Sequence, residues 1–384
     1  MDTYGAVDIR PVLTSRHWRA FHAVRHAVYR DDPAAVLPLA SEQRLQVDLD
    51  RHPFWQHAAM QAFLCWSGGR AIGRIAAIVD RLHQRHYSDR TGFFGFFECE
   101  NRREPAAALL RAAANWLNER GCDSMRGPVN PSLKGEFGVV VAGNEVPPAV
   151  MMAHTPPWYD PLLQDCGLRP AHDFFAFAID WAGARDRSSH WQPLSQTCVR
   201  ILDRYPELSV GCATRANLLA TLRSINTLAN RVRETVWGFV PITDAELDFL
   251  VSRLSRIAVP ELVIIVRRRG EIVGFMIAVP DVNWALARAR GRYDILRLAQ
   301  LSFLRRKIPR LRVFAFGADP RFRHAGIVTL LINTMFQAAF PRFNEIELSW
   351  ISEANIASLR ALQHALPLQT CKTYRVYQSA LPWQ

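Results

Sequence analysis

The stretch RVFAFGADPRFRHAGIVTLLINTMFQAAF, residues 312–340, changes character twice along its length. An apolar run typical of a strand ends at Gly-Ala-Asp-Pro, a short loop carries Arg321, Arg323, His324 and Gly326, and an almost wholly apolar helical pattern comes after it. Where a strand stops and a helix begins, several backbone N–H groups point one way and the helix dipole adds partial positive charge. A glycine permits close approach of the backbone, and arginines add charge-assisted hydrogen bonds. The stretch therefore predicts a phosphate-binding loop, with an ordinary strand-to-helix turn as the alternative.

The composition is that of a globular protein. The chain has 384 residues, of which 49% are hydrophobic and 21% charged, so it is long enough for two domains or one large one. No apolar run approaches the roughly 18 to 20 residues of a membrane-spanning helix. The beginning, MDTYGAVDIRP, is acidic and polar where a signal peptide would be basic and then apolar. We therefore expect a cytoplasmic protein.

The basic charge predicts an anionic partner. The net charge is +12, which suits nucleic acid, a phospholipid surface or a phosphorylated ligand. The clusters Arg267–Arg269 and Arg305–Lys307 fit a solvated surface, and a patch that contacts an anionic membrane is the sharper alternative. The seven cysteines include no CxxC pair, so neither a disulfide framework nor a zinc site is predicted.

Two stretches share the pattern of a β-hairpin and indicate an internal repeat. They are FLCWSGGRAIGRIAAIV, residues 63–79, and IIVRRRGEIVGFMIAVP, residues 264–280. Each has a glycine in the turn and another glycine four residues later. The two hairpin patterns are separated by about half the length of the chain, and a repeat at this spacing predicts two similar domains.

The segments after the two hairpins agree with the repeat. An aromatic strand, TGFFGFFEC, leads through ENRREP into an apolar helix in the first half, just as RVFAFGADP leads through the arginine-rich loop in the second. Both halves open with a strand and close with a strand, DFFAFAID and TCKTYRVYQ. The predicted fold class is α/β (α+β), with two domains that each have a mixed, mostly antiparallel sheet flanked by helices. The predicted limits are 1–182 and 194–384, with a polar linker at 183–193.

The second half resembles the acetyltransferase superfamily called GNAT. The shared features are a hairpin, a strand, an R-x-x-G-[IV]-x loop that opens a helix, and a further strand followed by E-x-N. The whole chain looks like a tandem pair of such domains. In that family the loop cradles the pyrophosphate of coenzyme A, and the preceding strand pairs with the pantetheine arm. With Arg321 added for its charge, the resemblance implies these cofactor-binding residues: Phe316, Gly317, Ala318, Arg321, Arg323, His324, Ala325, Gly326, Ile327 and Val328.

Two positions depart from the family pattern. Val328 stands where the family loop usually ends in a small residue, and Leu362 stands where a tyrosine often protonates the departing thiolate. The first half has no such loop, because its equivalent, ENRREPAA, lacks a glycine. We therefore expect the second domain to bind acyl-CoA. The first, with its long loop at residues 127–161, is predicted either to help form the acceptor site or to be structural. A Gly326→Glu substitution is expected to abolish coenzyme A binding without unfolding the chain.

Four phrases are similar to a narrower group of tandem GNAT proteins. They are NPS-x-x-G-x-x-G from Asn130, MMAHTPPWY, ELSWISEAN and KTYRVY. That group includes bacterial ceramide synthases, which join an acyl group from a thioester to the amine of a long-chain base. The resemblance implies a lipid-like amine acceptor, and the basic clusters would suit peripheral contact with the anionic inner membrane. The sequence has no carboxylate-rich metal loop, so no metal is expected to be required.

Acyl transfer to an amine needs a proton acceptor and a proton for the departing thiolate. Alternation along EIELSWI puts Glu347 on the face opposite to the apolar residues, and Glu353 with Asn355 opens the next helix. The candidate catalytic residues are Glu347, Glu353, Asn355, Tyr374, His154 and Glu98. Each candidate also has a structural alternative: solvent exposure or helix capping for the acidic residues, packing for Tyr374, and a structural role in the loop for His154.

The sequence thus predicts an acyl-CoA-dependent N-acyltransferase. Two alternatives remain: an aminoacyl-tRNA-dependent transferase of the same tandem fold, and a non-catalytic binding protein. The sequence contains no HExxH, GxSxG or GxxxxGK[ST] motif, so it gives no support to metalloprotease, hydrolase or nucleotide-triphosphatase function. Nucleic acid is not expected to be a partner under the leading interpretation, and the sequence leaves the oligomeric state open.

Overall fold

A computed structural model describes residues 6–180, 191–234, 236–289, 307–322, 324–355 and 368–383. The chain packs as two compact units. The first unit contains the chain up to Phe174 and the residues from Lys372 onward. The second extends from Phe175 to Ala289 and includes the described residues from 307 to Cys371. The domain limits at 182 and 194 stay a prediction, and residues 183–190 of the predicted linker lie outside the described residues.

The elements follow the predicted order of strands and helices. The helices are α1 Ser15–Val28, α2 Ala40–Gln46, α3 Arg81–Tyr87, α4 Arg103–Asn118, α5 Tyr159–Asp165, α6 Trp191–Arg204, α7 Leu218–Arg233, α8 Asp244–Leu254, α9 Asn283–Ala289 and α10 Ile327–Ala339. The strands are β1 Asp8–Pro11, β2 Ala58–Ser67, β3 Arg70–Asp80, β4 Thr91–Cys99, β5 Ser124–Gly127, β6 Val129–Asn130, β7 Glu136–Phe137, β8 Val139–Ala142, β9 Arg169–Asp180, β10 Leu208–Cys212, β11 Val263–Arg268, β12 Glu271–Pro280, β13 Arg310–Ala318, β14 Glu345–Ser352 and β15 Leu368–Ala380. Short 3₁₀ helices cover Pro53–Gln56, Pro260–Leu262, Pro320–Phe322 and Glu353–Asn355.

The sheet of the first unit has the strand order β1-β2-β3-β4-β5-β15, and β8 also pairs with β15. The pairing is antiparallel except between β4 and β5, which are parallel. Helix α4 covers one face with a stripe of leucines and alanines, including Leu109, Leu110 and Leu117, that is fully buried. The i, i+1 and i+8 spacing of these residues is the amphipathic pattern expected of a helix that packs on a sheet.

The sheet of the second unit follows the order β14-β13-β12-β11-β10, with the end of β9 beside β14. Strands β13 and β14 are parallel, and the other pairs from β10 to β13 are antiparallel. One apolar cluster joins α6 and α10 to the sheet through side chains such as Val266 and Met276. A second cluster joins α7 and α8 through Ile265 and Phe275. Because these strand residues alternate, the two pairs of helices cover opposite faces of the sheet.

The repeated hairpin glycines have the same role in both units. A Cβ on Gly73 would lie 2.7 Å from Cδ1 of Leu109 on α4, and a Cβ on Gly274 would lie 2.3 Å from Cγ2 of Ile327 on α10. Each glycine therefore lets the following helix pack directly on the hairpin, which explains why the glycines recur at matching positions.

Some predicted boundaries differ from the structure. The helix after ENRRE begins at Arg103, before the first alanine of the apolar run. The helix predicted from Glu353 is a 3₁₀ turn over Glu353–Asn355, and residues 356–367 lie outside the described residues. Of the predicted helical segment 282–310, α9 is described and residues 290–306 are not. No helix among the described residues is both long and apolar enough to cross a bilayer.

Candidate functional site

The predicted phosphate loop joins β13 to α10. After Ala318 come Asp319, a 3₁₀ turn and then Gly326, which caps α10 with φ +71°. No side chain of the described residues caps this helix, and its first turn contains no acidic residue. Within the described part of the chain, the N–H groups of this first turn therefore have no side-chain cap, which is the condition that an anion-binding helix terminus requires. Arg323 lies outside the described residues.

Gly326 is also required by packing. A Cβ at this position would lie 2.4 Å from Cδ1 of Ile201, and its positive φ disfavours other residues. This corrects the expectation for Gly326→Glu. The substitution would disturb the contact between α6 and α10 as well as the loop, so a loss of ligand binding would not separate the two causes.

Arg321 is held by carboxylates at the end of the strand. Asp319 is completely buried and accepts hydrogen bonds from Arg321 at 2.7 to 3.1 Å and from Arg231 of α7 at 2.8 Å. Arg321 also donates to Glu271 at 3.0 Å. The hydrogen bonds from Arg321 hold the pKa of the Asp319 carboxyl below its ordinary value. The charge of Arg321 is therefore already balanced in this structure, whereas His324 is exposed in the loop.

Strands β13 and β14 part beside this loop. Their pairing joins Arg310–Val313 to Glu345–Leu348, and both strands continue beyond the last pair, Val313 with Leu348. Beyond that point Phe316, Gly317 and Ala318 pair with β12 on one side, and no strand of the described residues pairs with them on the other. The side of these three residues that faces β14 is therefore an open strand edge, the type of edge that can pair with an extended ligand.

An apolar cavity lies at the parting of the strands. Its walls include Val313, Phe316 and Leu348 of the strands and Val328, Ile332 and Phe336 of α10. The described residues that line it are all apolar. Phe316 and Val328 belong to the predicted cofactor-binding set. The cavity therefore adjoins that set both on β13 and on α10.

Glu347 lies on the other face of the same strand. Its neighbours Ile346 and Leu348 face the cavity, so Glu347 and Ser349 point to the opposite side, as alternation predicts. Glu347 is 2% exposed and accepts a hydrogen bond from the Ser349 hydroxyl at 2.9 Å, and Arg312 donates to Ser349 at 3.1 Å. Burial raises the pKa of the Glu347 carboxyl, although Arg310 and Arg312 act against this.

The described residues of the first unit form no equivalent opening where β4 and β5 part. The Asn130 side-chain oxygen accepts a hydrogen bond of 2.6 Å from the Phe96 amide, and a Cβ on Gly95 would lie 1.7 Å from the Val129 carbonyl. The chain after β5 therefore lies directly against β4. Helix α4 also has Glu104 in its first turn, where a carboxylate takes the favourable position for an anion.

Glu98 belongs to a buried charged network in the first unit. It is 5% exposed, and its carboxylate accepts a hydrogen bond of 2.9 Å from the Tyr159 hydroxyl. Arg74 and Arg25 lie 3.5 and 3.6 Å from the same carboxylate, and Arg25 also contacts Glu136 at 3.4 Å. Burial raises the pKa of the Glu98 carboxyl, opposed by the two arginines.

His154 joins the same network through Tyr29. The Tyr29 hydroxyl donates to the His154 carbonyl oxygen at 2.8 Å, and burial together with the negative charge of Glu98 raises the pKa of Tyr29. The His154 ring places Nε2 2.8 Å from Asp32, while Nδ1 has no hydrogen-bond partner among the described residues. Burial lowers the pKa of His154, so its imidazole is neutral near pH 7 and Nδ1 is a bare acceptor if Asp32 accepts the proton on Nε2.

The comparisons with known proteins agree with this architecture. No family model matches the chain. It is 30% identical over 394 aligned residues to a protein of Caulobacter vibrioides (strain NA1000 / CB15N) named Bacterial ceramide synthase, with 99% of each chain covered. The chain belongs to the bacterial ceramide synthase family. It is also 25% identical to Protein YghO of Escherichia coli (strain K12), with 97% of this chain and 95% of the relative covered.

The solved structures establish the fold. A tandem GNAT protein from the clavulanic acid biosynthesis pathway matches 98% of both chains with a TM-score of 0.54 at 10% identity. The predictions of a tandem GNAT fold and of an N-acyltransferase are confirmed. The site residues and their roles stay predictions.

Within this family member, the predicted catalytic residues are divided between the two units. Glu98, His154 and the completely buried Tyr374 belong to the first unit, while Glu347 belongs to the second. Glu353 and Asn355 are exposed in the 3₁₀ turn after β14. Among the described residues, no group of three or more His, Cys, Asp or Glu side chains is arranged to hold a metal ion.

Sequence reasoning missed the partners of these residues. Asp319 as the anchor of Arg321 could have been found, since a carboxylate two residues before an arginine is a local signal. Arg25 and Arg74 carry no such signal, because they come from α1 and β3 and meet Glu98 only in the fold.

Proposed function

We propose that this protein is an acyl-CoA-dependent N-acyltransferase that transfers an acyl group from the thioester to a primary amine, with a long-chain sphingoid-type base as the acceptor. The support for the acceptor is the name of the Caulobacter relative. The support for coenzyme A is the loop of the second unit. An acceptor of this type is lipid-like, so we place the enzyme in the cytoplasm with peripheral contact at the anionic inner membrane.

One observation carries the proposal for coenzyme A: the uncapped first turn of α10, opened by Gly326, adjoins the open edge of β13. The helix terminus suits the pyrophosphate through its N–H groups and its dipole. On the other side of the loop, the edge at Phe316–Ala318 suits the amide-containing pantetheine arm through backbone hydrogen bonds. The two features together match a ligand that has a diphosphate at one end and amides behind it.

The reaction would take place in the gap beyond the last pair of β13 and β14. The neutral amine attacks the thioester carbonyl, a new C–N bond forms and the C–S bond breaks. The nitrogen loses one proton and the departing thiolate takes one up, so the products are an amide and the free thiol of coenzyme A. We assign the proton acceptor to Glu347, because it is the buried carboxylate beside this gap and its raised pKa makes it a stronger base than an ordinary glutamate. Ser349 orients that carboxylate by its hydrogen bond.

Turnover with defined substrates tests the proposal. The purified protein is incubated with acetyl-, octanoyl- or palmitoyl-CoA and either a short amine or a long-chain base such as sphinganine. Release of free thiol and the mass of the amide product are measured. We expect amide formation with the long-chain base. No thiol release above the protein-free rate with any pair overturns the function, and turnover with aminoacyl-tRNA in its place favours the tRNA-dependent alternative.

A matched pair of variants tests the loop without altering Gly326. His324 is exposed there, so His324→Glu adds a carboxylate beside the proposed pyrophosphate site without filling the packed interior. We expect His324→Glu to weaken coenzyme A binding roughly tenfold or more through like-charge repulsion, and His324→Gln to change it little. Calorimetric titration with coenzyme A measures both. Equal affinity in the two variants would remove the loop from the site.

A further inference from the structure

We propose that the exposed side of α1, together with neighbouring residues of the first unit, is the surface by which this protein contacts a bilayer that contains anionic phospholipid. This inference rests on the peripheral membrane contact included in the proposed function, and it names the residues that make the contact. We call them the α1 surface, which consists of Leu13, Arg16, Arg19, Ala23 and Arg44.

The exposed side of α1 is cationic. The helix reads SRHWRAFHAVRHAV and contains neither aspartate nor glutamate. Its buried side includes Phe21 and Val24, which pack towards the interior. Arg16, Arg19 and Ala23 are exposed and follow each other at i, i+3 and i+7, so they lie on one side of the helix. This side therefore presents two positive charges beside a small side chain that lets a flat surface come close.

The arginines of the α1 surface are not neutralised within the described part of the protein. Arg16, Arg19 and Arg44 are exposed, and their guanidinium groups form no hydrogen bond or ion pair with another described residue. Arg44 of α2 lies close enough to α1 that its charge, after burial and the charge of Arg74, helps to lower the pKa of His22 to about 4. The charges of α1 and α2 thus act at the same place, and their positive potential attracts an external anion.

Leu13 adds an exposed apolar side chain next to these charges. It directly precedes Thr14, the residue that caps α1. A hydrophobic residue in this position often packs against the fourth residue of the helix, here Trp18. Leu13 is instead 71% exposed, the largest fraction among the exposed large hydrophobic side chains of the described residues. One exposed leucine is ordinary on a protein surface, but an exposed leucine beside unpaired arginines matches the acyl region and the charged head groups of a bilayer.

Two alternatives fit the structure less well: another basic surface and another partner. In the basic cluster of the second hairpin, Arg268 donates to Glu207 at 3.1 Å and Arg267 donates to the Gly270 carbonyl oxygen at 2.9 Å. Residues 305 and 306 of the other cluster lie outside the described residues. Nucleic acid would also attract unpaired arginines, but its phosphate backbone gives Leu13 no apolar surroundings. The combination of charge and leucine therefore favours a bilayer.

The chain offers a matched control on the opposite side of the first sheet. Gly73 of β3 packs against α4, whereas the next residue, Arg74, donates to the Phe21 carbonyl oxygen of α1 at 3.1 Å. Because consecutive strand residues point to opposite faces, α1 and α4 cover opposite faces of the sheet. Arg111 is exposed on α4 and has no ion pair among the described residues. Arg111→Glu therefore changes the net charge as much as Arg19→Glu does, but away from the α1 surface.

Vesicle binding tests the surface. The purified full chain is sedimented with vesicles of phosphatidylcholine, with or without phosphatidylglycerol. We expect the wild type to bind only the anionic vesicles and to be released by added salt, which screens the charges. An arginine near an anionic bilayer contributes about fivefold to binding, so Arg19→Glu should weaken it roughly tenfold or more. Leu13→Ala should weaken it roughly fivefold or more, because apolar area is lost, and Arg111→Glu should change it less than about twofold.

Three results would overturn the inference. The first is equal binding of Arg19→Glu and Arg111→Glu to anionic vesicles, and the second is unchanged binding of Leu13→Ala. The third is a wild type that does not bind anionic vesicles but binds a labelled DNA duplex more tightly than Arg19→Glu does, which makes nucleic acid the partner. Thermal unfolding identifies variants that do not fold. Arg16→Glu then takes the place of Arg19→Glu, since a glutamate in the first turn of a helix suits its dipole.

A vesicle-free assay separates this inference from the proposed function. Amide formation from acyl-CoA and the long-chain base is measured for the wild type and for each variant, and it should be unchanged, because none of the substituted residues belongs to the proposed site. If the wild type forms the amide but binds no anionic vesicle, the membrane contact and the α1 surface fall while acyl transfer stands. If it binds vesicles through the α1 surface but forms no amide, acyl transfer falls and the surface stands.

Discussion

The side-chain oxygen of Asn130 accepts a 2.6 Å hydrogen bond from the backbone amide of Phe96. Phe96 adopts φ 51°, in the left-handed region, at the position on β4 where that strand has left β5. In the second unit the corresponding part of β13 has an open edge instead. The Asn130 carboxamide thus satisfies in the first unit the type of backbone group that, in our proposal, a ligand satisfies in the second.

We expect Asn130→Ala to destabilise the first unit by roughly 1 to 3 kcal/mol, because the amide of Phe96 would be left buried without an acceptor. Chemical denaturation followed by circular dichroism measures this. Asn118→Ala, at the exposed end of α4, is the control and should change the free energy of unfolding by less than about 0.5 kcal/mol. A loss of stability no larger than that of the control would mean that another group satisfies the amide.

Glu98→Gln is expected to destabilise the first unit by roughly 3 to 5 kcal/mol, since it leaves the buried Arg25 and Arg74 without their shared carboxylate. The control is Glu100→Gln, where the partly exposed pair of Glu100 with Arg70 contributes about 0 to 1 kcal/mol. Urea unfolding of both variants at pH 7 gives the comparison. Equal effects would show that the buried network is not a structural one and would favour a catalytic role for Glu98.

Local patterns were sufficient to predict the strands, the hairpins and the helix after the loop. The turn glycines and the alternation of apolar residues act over a few neighbouring positions, so a single sequence contains them. The same is true of the loop itself, because Gly326 and the start of α10 are consecutive in the chain.

Contacts between distant residues could not be predicted in this way. Glu98 meets Arg25, Arg74 and Tyr159 from three different elements, and nothing near Glu98 in the sequence indicates their proximity. The cavity likewise depends on the place at which β13 and β14 separate, which is set by their register and not by either strand alone. The charge of Arg321 alone predicts a ligand contact, although the neighbouring Asp319 competes for that charge.

The Asp319 carboxyl should make the free energy of unfolding vary with pH in the acidic range. Its folded-state pKa lies below the ordinary value of 3.8, so its contribution is present above that pH and is lost as the pH falls through the folded-state pKa. Asp319→Asn should therefore be less stable than the wild type at pH 7, and the difference should shrink below pH 3.8. Urea unfolding across a series of pH values from neutral to strongly acidic measures the difference. Asp248→Asn, in an exposed pair with Arg223, is the control with a small effect.

The same substitution gives a second readout for Arg321. Without the charge of Asp319, the guanidinium group of Arg321 is freer to bind an anion. If Arg321 contacts the pyrophosphate, coenzyme A should bind Asp319→Asn at least as tightly as the wild type. Weaker binding in a folded variant would mean that the Asp319 pair holds the loop in its binding geometry.

Glu347→Gln is expected to lower kcat by about 10² to 10⁴, the usual contribution of a positioned general base. Because burial raises the pKa of Glu347, the acidic limb of the wild-type pH–rate profile should lie above the ordinary range of a glutamate, and the variant should lose that limb. Glu345→Gln is the matched control, since Glu345 is exposed two residues earlier on the same strand. A uniform loss of rate at every pH in Glu347→Gln, with the limb kept, would instead assign this carboxylate to positioning Ser349 and Arg312.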